Sequence, residues 1–276
     1  MGGVTDSVNF DRAAAYYDAT RGIPEGAMVR TIELLAPELV PRGLILEVGV
    51  GTGQLALPLR AAGANVIGVD ISAAMLARIL DKTVGGRPPP LARADATRLP
   101  FNAGSFGAAY LRWVLHLIPS WVTALEELVR VLAPGGVVIV QLGNGSAGHR
   151  GEIRRRCCGL VGMSQKPPGL DWGDTAGLDE AMAALGCELR LLGPIRDEYR
   201  ERLGDYLDEI DAGMYSWTWG IDDAGRRGAV AAIRPWAQER WGPLDREIAH
   251  TDETYWRAYD VQRGPRIARR AQAAKR

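Results

Sequence analysis

The chain has 276 residues, and its 33 lysines and arginines balance its 33 aspartates and glutamates, so the formal net charge is zero. This balance excludes a chain-wide positive field of the kind that draws proteins to nucleic acid or anionic membranes. Its three cysteines have no metal-ligand or disulfide-framework spacing, no apolar stretch approaches the roughly 18 residues of a membrane span, and the N-terminus lacks a secretory signal. We expect a cytoplasmic protein with no metal site.

The first half of the chain alternates short apolar runs with amphipathic helix patterns. Ser72 is predicted to cap a helix just after a strand that ends at Asp70, and Pro134-Gly135-Gly136 is predicted to stop another helix. The predicted elements are strands at 44–48, 65–69, 91–94, 107–111 and 137–142, and helices at 54–62, 73–84 and 119–132. This alternation is typical of βαβ crossovers, so we predict an α/β fold with a doubly wound, mostly parallel sheet.

The second half of the chain has a different pattern, because segments rich in glycine, arginine and aromatic residues replace the alternation of apolar runs and helix patterns. We predict an irregular segment with one short helix, then a helix, a strand, a helical block rich in tryptophan and a late extended segment. The corresponding ranges are 143–173, 174–185, 187–194, 202–241 and 246–262. The basic tail at 263–276 is predicted to be a solvated helix, with a phosphate or nucleic-acid contact as the alternative. A helical block between two late strands is typical of a lid over a sheet.

Three glycines follow the first predicted strand, in the stretch LILEVGVGTGQ at 44–54. Gly49, Gly51 and Gly53 lie where ligands bind open α/β sheets, and their missing Cβ atoms let a ligand approach the backbone. A nicotinamide dinucleotide, a nucleoside phosphate and S-adenosylmethionine all fit that description. The spacing departs from G-x-G-x-x-G and the P-loop lysine is missing, which disfavours the first two ligands.

Acidic residues end the next two predicted strands. Asp70 is placed to accept both hydroxyls of a ribose, and Asp95 is placed to accept from an adenine amine beside the Ala96 amide. The motifs that surround them are EVGVGTG at 47–53, GVDIS at 68–72, DATRLPF at 95–101 and LAPGG at 132–136, with FDRAAAYYDATR at 10–21. Together they resemble the class I S-adenosylmethionine-dependent methyltransferases, of the small-molecule type 11 or ubiquinone-biosynthesis-like subgroup. The resemblance covers roughly residues 10–142.

The resemblance implies a Rossmann-like, seven-stranded sheet whose first half holds the cofactor. Residues 1–142 would then be the cofactor-binding core, with a helical cover at about 8–40. Residues 143–276 would complete the sheet at about 174–199 and 243–263, and would add helical lids at about 143–173 and 200–242.

The resemblance also implies that S-adenosylmethionine is the cofactor and S-adenosylhomocysteine its product. The glycine loop would lie along the methionine part, and the N-terminal cover would close on the carboxylate. The implied cofactor-binding residues are Tyr17, Arg21, Glu47, Gly49, Val50, Gly51, Gly53, Asp70, Ile71, Met75, Asp95, Ala96 and Arg112.

A methyl acceptor that is a hydroxyl or an ammonium must lose a proton, and histidine titrates in the right range. His116 follows the fourth strand in RWVLHLIPSW, so we predict it as the base, with a packing role as the alternative. Since the sulfonium supplies the driving force, no metal or covalent nucleophile is required.

The predicted acceptor pocket contains an aromatic wall, for which the candidates are Trp113, His149, Tyr215, Trp217 and Trp219. The motifs of nucleic-acid base methylases are missing, so we predict a small, partly apolar or aromatic acceptor that is methylated on O or N, and no nucleic-acid or membrane partner. We expect a monomer or a homodimer. A nicotinamide-dependent oxidoreductase and a non-catalytic S-adenosylmethionine-binding protein stay open as alternatives.

Overall fold

In the computed structural model, which describes residues 7–143 and 148–262, seven strands form one sheet. They are β1 (Leu44–Val48), β2 (Asn65–Asp70), β3 (Leu91–Arg93), β4 (Phe106–Arg112), β5 (Leu132–Gln141), β6 (Cys187–Arg202) and β7 (Glu247–Val261). Their order is β3-β2-β1-β4-β5-β7-β6. The predicted seven-stranded, mostly parallel sheet is confirmed, since only β7 in this sheet runs against its neighbours.

The helices of the described residues cover both faces of this sheet and one of its ends. They are α1 (Tyr17–Arg21), α2 (Glu25–Leu39), α3 (Ala56–Ala61), α4 (Ala73–Lys82), α5 (Trp121–Val131), α6 (Gly148–Leu160), α7 (Thr175–Ala184), α8 (Leu203–Asp211) and α9 (Asp223–Trp241). Ser72 caps α4 as predicted, because its Oγ accepts a hydrogen bond of 3.1 Å from the Met75 amide.

Alternating apolar residues of the strands fill two cores, one on each face of the sheet. Ile45 of β1 packs with Leu35 and Leu39 of α2 on one face. On the other face, the next residue, Leu46, belongs to a core that includes Leu125 of α5. Because both faces are covered by helices, the strands are nearly continuous apolar runs, as the sequence pattern predicted.

The strand order reverses at β1, which pairs with β2 on one side and with β4 on the other. The connections from β1 through β2 to β3 run one way across the sheet, and β4 and β5 lie on the opposite side. The loops that follow β1 and β4 therefore diverge. This divergence opens a crevice at the carboxyl ends of the strands, where ligands bind in folds of this kind.

The strand β6 is longer than predicted, whereas β7 (Glu247–Val261) agrees with the extended segment predicted at 246–262. The predicted strand at 187–194 continues to Arg202, past an irregularity in the pairing between Leu192 and Ile195. The far part of β6 stays paired with β7 up to Arg202 and Glu247, whereas β5 pairs with β7 only at residues 257–260. This part of the antiparallel β6–β7 pair, residues 195–202 and 247–254, extends beyond the rest of the sheet. We call it the hairpin extension, although the helices α8 and α9 join the two strands.

The predicted helical block at 202–241 is also corrected, because it is two helices, α8 and α9, separated by residues 212–222. The segment predicted as irregular, 143–173, contains the 13-residue helix α6. These three helices pack on one another through a separate apolar cluster that includes Ile153, Leu207 and Ile233. We call α6, α8, α9 and the 212–222 linker the lid. The predicted tail helix lies outside the described residues, within which no helix is long and apolar enough to cross a membrane.

Candidate functional site

A cavity of about 770 Å³ lies at the carboxyl ends of the central strands. One end is lined by the loops that follow β1, β2 and β3, and the other end by the lid and the hairpin extension. The N-terminal segment closes one side through residues that include Phe10, Tyr17 and Arg21. A volume of this size is typical of sites for cofactors and drug-sized ligands, which occupy about 300–1,000 Å³.

The glycine loop after β1 adopts a backbone that side chains disfavour. Gly49, Gly51 and Gly53 have φ angles of 69°, 54° and 78°, in the left-handed region. A Cβ on Gly49 would collide with the Val114 side chain, whereas a Cβ on Gly51 would meet no protein atom closer than 4.0 Å. Gly49 and Gly51 line the cavity. The Gly51 backbone is therefore open to a ligand, and Gly49 is required by packing.

Asp70, at the end of β2, fastens this loop to the start of α4. Its Oδ2 accepts a hydrogen bond of 2.8 Å from the Gly51 amide, and its Oδ1 accepts one of 2.8 Å from the Ser72 amide. Burial raises the pKa of Asp70, and the amides of Ser72 and Gly51 oppose that rise. The carboxylate lines the cavity, and each oxygen keeps lone pairs for a ligand hydroxyl.

The N-terminal cover is fastened to the glycine loop by Asp18. Its Oδ1 accepts hydrogen bonds from Thr52 Oγ1 at 2.5 Å and from Gln54 Nε2 at 3.0 Å, and its Oδ2 lies 2.7 Å from Lys82 Nζ. Despite partial burial, these contacts lower the pKa of Asp18. A second fastening is Asp11, whose Oδ1 accepts from Ser72 Oγ at 2.6 Å.

Arg21 joins this cover to the lid. Its Nη2 donates to the Met214 carbonyl at 3.0 Å, and its guanidinium carbon lies 4.6 Å from the centre of the Tyr215 ring. Tyr17 lies half-buried beside it, and loss of solvation raises the pKa of its hydroxyl. Arg21, Tyr17 and Tyr215 all line the cavity, so the cover and the lid meet over it.

The residues predicted near an adenine lie together at the β2–β3 end of the cavity. Ile71, Met75, Asp95 and Ala96 all line it. The Oδ1 of Asp95 accepts from the amide of Thr97 at 2.9 Å and from its hydroxyl at 2.8 Å. These bonds fix the direction of the carboxylate in the turn after β3.

Three predicted cofactor residues do not line the cavity. Val50 and Gly53 pack beneath the loop, since Val50 is 3% exposed and a Cβ on Gly53 would lie 3.1 Å from Ile79. Glu47 is buried and accepts a hydrogen bond of 2.6 Å from the Tyr110 hydroxyl. Burial raises the pKa of Glu47 to about 8, against the effect of the Tyr110 hydrogen bond. Its position favours a role in holding the strand end over direct contact with a ligand.

His116, the predicted base, lines the cavity in a buried stack. Its ring centre lies 3.8 Å from the Trp172 ring centre. Burial, with help from the nearby charge of Arg154, lowers the pKa of His116 to about 3. At pH 7, protonating such an imidazole costs on the order of 5 kcal/mol, since each pKa unit corresponds to about 1.36 kcal/mol. The ring is therefore a neutral wall residue and a poor proton acceptor.

Four of the five predicted acceptor-pocket residues line the cavity: Trp113, His149, Tyr215 and Trp217. Trp219 does not; it packs against Phe10 with ring centres 5.0 Å apart, and its Nε1 donates to the Gly213 carbonyl. Tyr215, Trp217 and Trp219 were predicted within the helical block at 202–241. They lie instead in the linker between α8 and α9, which contains a 3-10 turn at Ser216–Thr218.

The sequence reading missed a polar group where the hairpin extension meets the lid. Glu201 is buried, accepts a short hydrogen bond from Arg150 Nε, and has its Oε1 3.8 Å from Nδ1 of both His149 and His250. His250 also lines the cavity and stacks on Tyr199. The strand alternation that points Tyr199 and Glu201 inward was a detectable signal, but the partners come from distant segments.

Other lining residues missed from sequence are Trp172, Arg154 and Tyr206. Arg154 is the first of three consecutive arginines in α6, and it alone of the three is buried. It donates to the Gln165 carbonyl at 2.9 Å and lies 5.0 Å from the Trp172 ring centre. Within residues 7–143 and 148–262, no group of three His, Cys, Asp or Glu side chains could hold a metal ion.

Comparisons with known proteins find relatives for the first half of the chain. Residues 46–140 match the type 11 family model described as "Methyltransferase domain". The demethylmenaquinone methyltransferase of Clavibacter sepedonicus is 34% identical over 139 residues, which are 49% of this chain and 56% of that protein. The malonyl-[acyl-carrier protein] O-methyltransferase of Halorhodospira halophila is 34% identical over 133 residues, 48% of this chain and 45% of that protein. The chain thus spans about half the length of the curated relatives that it matches.

Solved structures match more of the chain, at the level of the fold. The Haemonchus contortus phosphoethanolamine N-methyltransferase 2, in complex with phosphomonomethylethanolamine and S-adenosylhomocysteine, is 18% identical with a TM-score of 0.54. The match covers 92% of this chain and 58% of that one. The predicted resemblance to the type 11 methyltransferases is confirmed for residues 46–140 by the family model and by the curated relatives. The structural match shows the same fold over most of the chain.

Proposed function

Because residues 46–140 carry a methyltransferase domain, we propose that this chain transfers the methyl group of S-adenosylmethionine to O or N of a small, partly apolar or aromatic acceptor. One observation carries the proposal. The glycine loop, Asp70 and Asp95 line one end of a single cavity whose other end is walled by aromatic side chains of the lid. A cofactor at the first end would present its methyl group toward the second.

The residues present fit the cofactor. The open Gly51 backbone would accommodate the methionine part, and Asp70 would accept from the ribose hydroxyls while it holds the loop. Asp95 and Ala96 would face the adenine, with Ile71 and Met75 against its ring. Residues 1–142 would then be the cofactor-binding core, and the lid with the hairpin extension would enclose the acceptor.

The role proposed for the protein in the reaction is alignment and exclusion of water. The cofactor supplies an activated methyl group, so the chain has to hold the acceptor atom in line with the methyl–sulfur bond. Proximity and orientation of this kind can supply about 7–11 kcal/mol of a barrier. The cover, fastened by Asp18, and the lid, joined to it by Arg21, would shut the cavity during transfer.

The low pKa of His116 argues against it as the group that removes a proton from the acceptor. We assign it to the aromatic wall together with Trp172. Glu201 and its neighbouring histidines line the same cavity and would be the candidate proton acceptors for a substrate that must lose a proton. An acceptor that is already an anion would need no base.

Calorimetry tests the cofactor and a transfer assay tests the activity. We expect S-adenosylhomocysteine to bind the full chain in a saturable 1:1 reaction and NAD to give no binding. A screen of small hydroxy, amino and carboxylic acceptors with methyl-labelled S-adenosylmethionine then identifies the acceptor class. Binding of NAD with no binding of S-adenosylhomocysteine would favour the oxidoreductase alternative. Cofactor binding without transfer to any acceptor would favour a binding protein.

A further inference from the structure

The acceptor end of the cavity is rich in arginine. Arg112, Arg150 and Arg154 line it, and Arg21 reaches the same cavity from the N-terminal cover. Each of the four guanidinium groups lies against an aromatic ring of the cavity wall. Glu201 is the acidic side chain that lines this end, and it receives a hydrogen bond from Arg150. The electrostatic field at the acceptor end is therefore positive, and a cleft lined by one sign of charge attracts ligands of the other sign.

Arg112, the last residue of β4, lies half-buried where that strand ends at the cavity. Its Nε donates to Oε1 of Gln141 at 2.8 Å, and its guanidinium carbon lies 3.5 Å from the centre of the Trp113 ring. Both partners are uncharged. Within the described ranges 7–143 and 148–262, no carboxylate oxygen lies within 4.0 Å of its nitrogens. Burial lowers the pKa of Arg112 to about 10, so it stays charged at pH 7.

Glu47 acts on Arg112 from further away, and with a pKa of about 8 it is largely protonated at pH 7. A cation held out of water without a charged partner is costly, and a bound anion removes that cost. The cofactor brings one carboxylate, but its sulfonium and ammonium leave it with a net positive charge. Arg21 is available for that carboxylate, because it lies on the N-terminal cover and its hydrogen bonds within residues 7–143 and 148–262 go to the neutral Thr20 hydroxyl and Met214 carbonyl. Arg112 then remains for a second anion.

We propose that the methyl acceptor is an organic acid with an aromatic or apolar body, whose carboxylate is bound by Arg112. A guanidinium offers two parallel N–H groups that match a carboxylate. The body of the acid lies among Trp113, Trp172 and Trp217, which line the same end of the cavity. This inference rests on the proposed function, because it takes the cofactor to occupy the glycine-loop end.

The test uses the full chain saturated with S-adenosylhomocysteine and two matched probes. These are 2-naphthoate, an aromatic carboxylate, and 2-naphthamide, its uncharged isostere, titrated by calorimetry. We expect naphthoate to bind at least about tenfold more tightly than naphthamide. The Arg112→Met variant should lose this preference while its affinity for S-adenosylhomocysteine changes less than about twofold. Arg112→Lys should keep part of the preference, and Arg155→Met, an exposed position on α6, should keep all of it.

Equal affinity of the wild-type chain for the two probes, or binding of neither, would overturn the inference. So would an Arg112→Met variant that loses affinity for S-adenosylhomocysteine as much as for naphthoate, since Arg112 would then hold the cofactor carboxylate. Arg21→Met separates the two sites, because it should weaken S-adenosylhomocysteine and spare the naphthoate preference. Failure of the wild-type chain to bind S-adenosylhomocysteine is a separate readout, and it would overturn the proposed function itself.

Discussion

The carboxylate of Asp70 and the amide of Gly51 are joined by a hydrogen bond of 2.8 Å between the end of β2 and the loop after β1. The other carboxylate oxygen receives the Ser72 amide at the start of α4. One side chain thus fixes two backbone segments that border the cavity. The shape of the proposed cofactor site depends on a carboxylate at this position, because only a carboxylate can accept on both oxygens.

Asp70→Asn is expected to weaken binding of S-adenosylhomocysteine by about 10- to 100-fold, or about 1.4–2.7 kcal/mol. The amide replaces one acceptor by a donor, so one of the two backbone amides and one ribose hydroxyl lose their partner. Calorimetry measures the change. Asp81→Asn, an exposed position on α4, is the control and should bind normally. An Asp70→Asn affinity within twofold of wild type would remove Asp70 from the proposed site.

Gly51→Ala and Gly63→Ala separate backbone strain from contact with a ligand. Both glycines have positive φ angles, 54° and 96°, so each alanine should cost about 1–2 kcal/mol of stability, read from the free energy of unfolding. Only Gly51 borders the cavity. We therefore expect Gly51→Ala to lower affinity for S-adenosylhomocysteine more than about tenfold and Gly63→Ala to leave it unchanged. Equal affinities of the two variants would contradict the assignment of the loop.

Asp18→Asn is expected to speed dissociation of S-adenosylhomocysteine several-fold. The change removes the charge that pairs with Lys82 Nζ and weakens the bonds from Thr52 and Gln54, so the N-terminal cover opens more often. Stopped-flow tryptophan fluorescence gives the rate. Glu25→Gln, exposed at the start of α2, is the matched control. If the rate does not rise, the cover does not retain the cofactor.

His116 is expected to remain neutral throughout the physiological range. Its pKa of about 3 means that its Cε1–H proton signal should not move between pH 5 and pH 8. The chain has only three histidines, so a proton–carbon NMR titration is simple, and the signal missing from His116→Gln identifies the residue. A midpoint between about pH 6 and pH 7 would restore His116 as a candidate base.

Glu47→Gln is expected to change how stability depends on pH. The folded pKa of Glu47, about 8, lies above the ordinary value of 4.5 for a glutamate, so between these pH values the folded state holds a proton that the unfolded state releases. The stabilisation from this proton is present below about pH 4.5 and is lost as the pH rises through 8. Chemical denaturation from pH 5 to 8.5 should show wild type losing stability relative to Glu47→Gln. A constant difference between the two proteins would contradict the raised pKa.

The sequence predicted β1 to β5 and the loops between them because those features depend on short-range patterns. The glycine spacing, the acids at the ends of β2 and β3, and the Ser72 cap each lie within a few residues of the element that they define. The positions that face the cavity from these loops, such as Gly51, Asp70 and Ala96, follow from the same rule that ligands bind at the carboxyl ends of strands.

The far part of β6 was missed from the sequence because two of its four inward positions are charged. From Ile195 onward every second residue faces inward, and two of these, Asp197 and Glu201, are buried carboxylates. Such a pattern reads as a solvated loop until their partners are known. Arg30 pairs with Asp197, from which it is 167 residues distant in the sequence, and Arg150 pairs with Glu201, at a separation of 51 residues. Only the folded chain brings these charges together.

The hairpin extension carries Tyr199, Glu201 and His250 to a cavity whose other end is built by residues 46–140. The extension is held by its own ladder, by the lid, and by α2, whose Arg30 pairs with Asp197. In the proposed reaction, mutations there would alter the choice of acceptor without disturbing the segment that matches the family model. In the proposed site, residues of the hairpin extension could therefore change independently of residues 46–140. Relatives that share the first half would then not have to share an acceptor.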